Sequence, residues 1–184
     1  ERLQHSGRWD EAGAYLAGAA RALAAAGANL LVLCTNTMHK VASAIETAVS
    51  IPLLHIADPT ADAVKQAGIR RVGLLGTRFT MEDDFYRGRL ETRHAIQVVV
   101  PNEEDRDHVH RVIYNELCLG IVREPSRSVY RGVIDRLRQR GAEGIILGCT
   151  EIAMLVSPAD SPVPVFDTTS LHAASAVEWA LRER

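Results

Sequence analysis

Cys149 is the residue of this chain best placed for chemistry. It follows Gly148 and precedes Thr150 and Glu151, so a thiol stands where an apolar run gives way to polar, helix-starting residues. A thiol so placed can take or give a proton once its surroundings set its pKa, and helix-start N–H groups would favour the thiolate. A second cluster, Cys34-Thr35-Asn36-Thr37, lies far upstream. Gly27 to Thr37 aligns without gaps on Gly141 to Glu151, and each copy runs from a glycine through apolar residues into its cluster. In that alignment Thr35 takes the place of Cys149, and Cys34 the place of Gly148. Neighbouring strand residues point to opposite faces, so Cys34 and Thr35 are rival candidates for one role. Two such half-sites suit a reaction with one acid/base group on each side of its substrate.

Asn36, Thr37, Thr150 and Glu151 surround these groups with an amide, hydroxyls and a carboxylate. With helix-start N–H groups the polar ones could cradle a substrate carboxylate, and the same residues could equally cap helices. Thr77 and Thr80, after Leu74-Leu75-Gly76, mark a third candidate strand end that could contact a small anion. His39 could orient the first loop or a substrate carboxylate. His108 and His110 fall on a charged helix and read as solvent-facing, and His55 sits at a strand end without an assigned role. No His/Asp/Glu spacing matches a metal site, and neither a G-x-G-x-x-G nor a P-loop pattern is present.

Positioning these groups requires strands that end at the clusters. An alanine-rich helix over 9–26 should end at Gly27, followed by a strand over 30–34 and a helix over 38–49. A strand at 51–55, a helix opened by Asp58-Pro59 and ending near Gly68, and a strand over 71–75 come next. Helix 81–93, strand 96–100, helices near 104–119 and 125–140, strand 144–147, strand 163–166 and helix 169–181 complete the pattern. Alternation of this kind indicates α/β architecture: two pseudo-symmetric lobes of parallel sheet flanked by helices, with the site in the cleft between them. The expected division is 1–66 with 163–184 for the first lobe and 67–162 for the second. Ligands of open α/β sheets gather at strand carboxyl ends, where both clusters fall.

The chain has 184 residues, 47% of them hydrophobic and 24% charged, with a net charge of −2. That is the composition of an ordinary globular protein, without the basic patch expected of a partner for nucleic acid or an anionic membrane surface. No apolar run approaches the ~20 residues of a membrane span, and no signal peptide is visible. Cys34, Cys118 and Cys149 are too few for a disulfide scaffold, so they read as reduced thiols in the cytoplasm. The sequence starts at Glu1 in what reads as mid-element.

Cys34-Thr35-Asn36-Thr37-Met38-His39 and Gly148-Cys149-Thr150-Glu151 resemble the two signatures of the aspartate/glutamate racemase family, in its bacterial amino-acid racemase branch. The likeness extends to Leu74-Leu75-Gly76-Thr77-Arg78-Phe79-Thr80-Met81 and Pro164-Val165-Phe166-Asp167. The resemblance implies a cofactor-independent racemase, often a homodimer, that uses neither pyridoxal phosphate nor metal. One thiolate removes the α-proton of a small amino acid, and a thiol on the opposite face returns one. Two departures stand out. Thr35 occupies the usual place of the first cysteine, which gives Cys149 the main acid/base role with Thr35 opposite and Cys34 as rival. The glycine-rich βα unit that opens family members is expected to be missing before Glu1, so the chain could be inactive alone. Hydantoin racemase, maleate isomerase and arylmalonate decarboxylase share the lobes and are alternatives, as is a degenerate protein that only binds a carboxylate.

Overall fold

The computed structural model describes residues 2–182; the expectation about Glu1 and the last two residues of the expected first lobe lie outside them. Helices α1 (Arg2–His5) and α2 (Trp9–Ala25) lead into β1 (Leu31–Val32), a 3-10 turn over Thr37–Val41, α3 (Ala42–Glu46) and β2 (Leu53–Leu54). There follow α4 (Ala57–Gln66), β3 (Arg71–Gly76), α5 (Arg78–Glu82), α6 (Asp84–His94), β4 (Gln97–Val99) and α7 (Glu103–Asn115). After these come α8 (Glu124–Gln139), β5 (Gly144–Gly148), α9 (Ile152–Leu155), β6 (Val165–Asp167) and α10 (Thr168–Arg182). The fold is mixed α/β with parallel sheets flanked by helices. Among the described residues β1 pairs only with β2, and the other four strands form one sheet in the order β4-β3-β5-β6.

The four-stranded sheet is covered on both faces, so its central strands are apolar from Val72 and Gly144 onward. Leu75, Ile145 and Leu147 face Val109, Ile113, Tyr130, Val133, Ile134 and Leu137 of α7 and α8. Val72, Leu74 and Ile146 face Ala57, Ala61 and Val64 of α4 and Tyr86 and Leu90 of α6. Side chains one apart along β3 or β5 thus enter different cores, as the two-residue period of a strand requires.

The internal repeat is a repeat of backbone geometry. Gly27 and Gly141 have φ of +92° and +91°. Ala28 N–H donates to Leu23 O at 3.1 Å and Ala142 N–H to Leu137 O at 3.0 Å, while Gly27 and Gly141 N–H donate to Ala24 O and Arg138 O. Both helices therefore end in the same Schellman motif, whose left-handed residue favours glycine. Gly68 ends α4 in the same way, with Ile69 N–H on Val64 O.

Several expected elements differ. The strand expected over 30–34 pairs only at Leu31–Val32, because β2 offers just Leu53–Leu54 as partners and Pro52 before them has no N–H to give. The helix expected over 38–49 begins as a 3-10 turn and becomes α-helical only at Ala42–Glu46. The helix expected over 81–93 breaks at Asp83, which is extended with ψ 153°. The strand expected at 163–166, assigned to the first lobe, instead pairs with β5: Ile145 lies opposite Val165 and Leu147 opposite Asp167. Its residues complete an edge of the larger sheet, whose apolar faces need covering there, and α10 then packs back on α4.

Candidate active site

The site begins at two glycines. Gly76 and Gly148 end β3 and β5 as direct partners. A Cβ on Gly76 would stand 2.8 Å from Gly148 O, and one on Gly148 would stand 2.8 Å from Leu75 O, so neither position tolerates a side chain. The next residue on each strand is Thr77 and Cys149, which places a hydroxyl and a thiol on adjacent strand ends about 5 Å apart in the sheet direction. Thr77 caps α5: its Oγ accepts from Thr80 N–H at 3.4 Å and lies 3.2 Å from the Thr80 hydroxyl.

Cys149 is half-buried, and its Sγ–H donates to Glu151 Oε2 at 2.8 Å. Burial raises the thiol pKa above its ordinary value, and the Glu151 carboxylate adds to the rise. The Glu151 main-chain N–H acts in the opposite sense and is outweighed. The sequence expectation of a helix-favoured thiolate is therefore corrected. The helix that follows starts only at Ile152 and spans four residues, too short and too distant to compete with burial beside a carboxylate. Thr150 lies partly buried in the turn between them.

The first cluster is tied to this strand end by side chains. The Thr37 hydroxyl lies 2.9 Å from that of Thr77. Asn36 Nδ2 donates to Thr168 Oγ at 3.0 Å, and Thr168 Oγ–H donates to Leu147 O at 2.8 Å, two residues before Cys149. The single Thr168 proton goes to Leu147 O, so Thr168 must accept from Asn36, which fixes the amide orientation. Among the described residues Asn36 Oδ1 is left buried without a hydrogen-bond partner. An unsatisfied buried acceptor costs about 1–3 kcal/mol.

Thr35 and Cys34 differ in setting. Thr35 is half-buried, and its carbonyl lies 2.7 Å from Nδ1 of the buried His39. Cys34 is exposed and turns its sulfur back to Val32 O at 3.7 Å. The structure thus brings Asn36, Thr37 and Thr77 into one hydroxyl-and-amide junction beside the end of β5, where Cys149 and Glu151 follow. His39 holds the Thr35 end of the loop, and Cys34 stands outside these contacts. Thr168 escaped the sequence reading. Its only signal is its place at the start of a helix directly after a strand, the position shared by the other clusters.

Surface clefts also lie away from Cys149. One of about 420 Å³ is bounded by Val100, Pro101, Arg106, Arg136 and Arg140, but its cations are committed: Arg136 to Asp105, and Arg106 and Arg140 to the carbonyls of Pro101 and Val100. Among the described residues no helix is long and apolar enough to cross a membrane, and no group of three His, Cys, Asp or Glu could hold a metal ion.

Residues 1–176 match the family described as Asp/Glu/Hydantoin racemase. The broad specificity amino-acid racemase RacX of Bacillus subtilis (strain 168) is 25% identical over 160 residues, covering 84% of this chain and 66% of RacX. The glutamate racemase of Roseiflexus sp. (strain RS-1) is 29% identical over 175 residues, 91% of this chain and 60% of that enzyme. The chain thus spans about two thirds or less of the length of these two curated relatives. Among solved structures, an aspartate racemase homologue from Pyrococcus horikoshii OT3 superposes with a TM-score of 0.84 at 35% identity, covering 97% of this chain and 78% of that one. A candidate Asp/Glu racemase from Yersinia pestis gives a TM-score of 0.92 at 56% identity, covering 98% and 79%.

Proposed function

This chain belongs to the Asp/Glu/Hydantoin racemase family, and from that premise we propose that it is a cofactor-independent amino-acid racemase for aspartate, glutamate or a related small amino acid. The observation that carries the reading is the Cys149 thiol hydrogen-bonded to Glu151 at 2.8 Å, beside a junction of hydroxyl and amide groups. In this reading Glu151 accepts the thiol proton, and the Cys149 thiolate then takes the α-proton from one face of the substrate. The Thr35 hydroxyl returns a proton to the opposite face of the carbanion. One Cα–H bond breaks and another forms, with no net redox change, and exchange with water carries the Glu151 proton back to Thr35. Asn36, Thr37, Thr77 and Thr150 supply the polar surroundings that the developing charge requires.

A threonine hydroxyl is a far weaker acid than a thiol, so the two faces are chemically unequal. One enantiomer should exchange its α-proton faster, although the equilibrium between enantiomers is untouched. The proposal includes a homodimer in the cytoplasm working without pyridoxal phosphate or metal. A hydroxyl at Thr35 in place of a second thiol, with the Cys149 thiol held on Glu151, favours a second reading, a protein that binds a small carboxylate without turnover.

α-Proton exchange in D2O, followed by NMR on the full-length polypeptide with L- and D-aspartate and glutamate, separates the two. Exchange should be lost in Cys149→Ala, reduced for one enantiomer in Thr35→Ala and retained in Cys34→Ala. Binding of aspartate or glutamate without exchange, unaffected by Cys149→Ser, would replace the racemase with the binding protein.

A further inference from the structure

His39 has no free nitrogen to offer a ligand. Its ring is 2% exposed, with Nδ1 2.7 Å from Thr35 O and Nε2 accepting from Ile56 N–H at 3.2 Å. A carbonyl can only accept and an amide N–H can only donate. The ring must therefore carry its proton on Nδ1 and leave Nε2 bare. Thr35 follows β1 and Ile56 follows β2, so one imidazole spans the ends of both strands of the small sheet. It does so beyond the last paired residues, where no ladder holds the backbone.

Two further histidines complete the arrangement. His55 packs against His39 with ring centres 4.2 Å apart, and its Nδ1 accepts from Ala57 N–H at 3.2 Å. His172, from α10, lies 6.2 Å from His39 and donates Nε2–H to Leu54 O at 2.9 Å. Three rings from three segments thus satisfy main-chain groups of Thr35, Leu54, Ile56 and Ala57.

We propose that His39, as its Nδ1–H tautomer, is a positioning residue that pins the Thr35 carbonyl to the Ile56 amide and so fixes the direction of the Thr35–Thr37 half-site without touching substrate. The catalytic part of this inference rests on the racemase reading, while the brace itself does not. The groups facing the ring are His55, His172 and the Arg89–Asp58 pair, in which Arg89 holds both carboxylate oxygens at 2.6 Å. Burial lowers the His39 pKa to about 4, with His172 and Arg89 acting in the same sense and Asp58 against it. Protonation would set a second N–H against that of Ile56, so the brace works only as the neutral ring.

Nitrogen-15 NMR of the full-length protein labelled at histidine tests the brace directly. The His39 ring should show a protonated Nδ1, a bare Nε2 and no titration between about pH 5 and 8. An Nε2–H tautomer, or a midpoint near the ordinary histidine value, would overturn it. The catalytic part is tested by His39→Leu beside His39→Gln in the exchange assay, with thermal melting as the check on folding. Loss of loop direction should lower kcat by roughly 10- to 100-fold in the leucine variant while KM stays nearly constant. Glutamine, which keeps one donor and one acceptor, should recover most of the rate. A raised KM with unchanged kcat would mean that the ring touches substrate, contrary to the proposal. No exchange in the unsubstituted protein would sink the racemase reading, and the ring spectra would still decide the brace.

Discussion

Cys149 and Glu151 form a pair in which the carboxylate has two opposed effects. It is the acceptor that can take the thiol proton, and it also resists the thiolate by hydrogen bonding to the neutral form and by repulsion. Glu151→Gln removes the negative charge and should lower the Cys149 pKa. Alkylation by iodoacetamide should therefore become faster at neutral pH, and its pH profile should move down. Exchange of the substrate α-proton should fall in the same variant, because the proton acceptor is gone. Alkylation that did not accelerate would mean that burial alone holds the thiol neutral. Asn36 shows a second conflict, since its amide is oriented by Thr168 and leaves one buried oxygen unsatisfied. A short polar side chain here ties two sheets together, and the unsatisfied oxygen is the cost.

The decisive elements are strand ends, and their geometry explains why certain glycines must be glycine. Gly148→Ala places a methyl 2.8 Å from the Leu75 carbonyl and 2.9 Å from Leu74 Cδ1. Main chain cannot step aside as a flexible side chain would, so β3 and β5 must separate locally. Urea unfolding should show a loss of about 1–3 kcal/mol, with exchange activity falling because Thr77 and Cys149 move with their strands. Unchanged stability would show that the strand ends are looser than the contact implies. Gly27 is a different case: a Cβ there meets nothing within 4 Å, and its constraint is the positive φ of the helix end. The helix ends were legible because a Schellman motif is local chemistry. The extents of β1 and β2 were not, because a ladder needs a partner whose register is fixed by distant residues.

On the scale of the whole molecule, the buried histidines make stability depend on pH. Burial first, then neighbouring cations, lower His39 to about 4 and His55 to about 2, and burial also lowers His172. The unfolded chain binds protons at these rings near pH 6.5, where the native protein does not. Their contribution is therefore fully present above that pH and is lost as pH falls, for His39 down to about 4 and for His55 down to about 2. For His39 alone the loss is on the order of 3 kcal/mol by pH 4. Asp58 is depressed to about 2, so its contribution is lost only at lower pH and does not blur the His39 window. Urea midpoints should drop between pH 7.5 and 5, and the drop should shrink when His55 and His172 are replaced by glutamine. A flat profile would show that these rings are solvated.

Sequence by itself determined the α/β alternation, the helix-ending glycines, the repeat and the family, because each rests on local pattern or on side chains that act where they stand. It also singled out Cys149 and Glu151, two residues apart in one turn. Only the tertiary structure decided that the last strand joins the larger sheet, that Thr37 meets Thr77, and that Thr168 links Asn36 to the strand of Cys149. Those contacts join residues far apart in the chain, and nothing local encodes which partner a hydroxyl or amide will find. The state of the Cys149 thiol belongs to the same class. Helix-start N–H groups and burial pull its pKa in opposite directions, and only packing sets the balance between them.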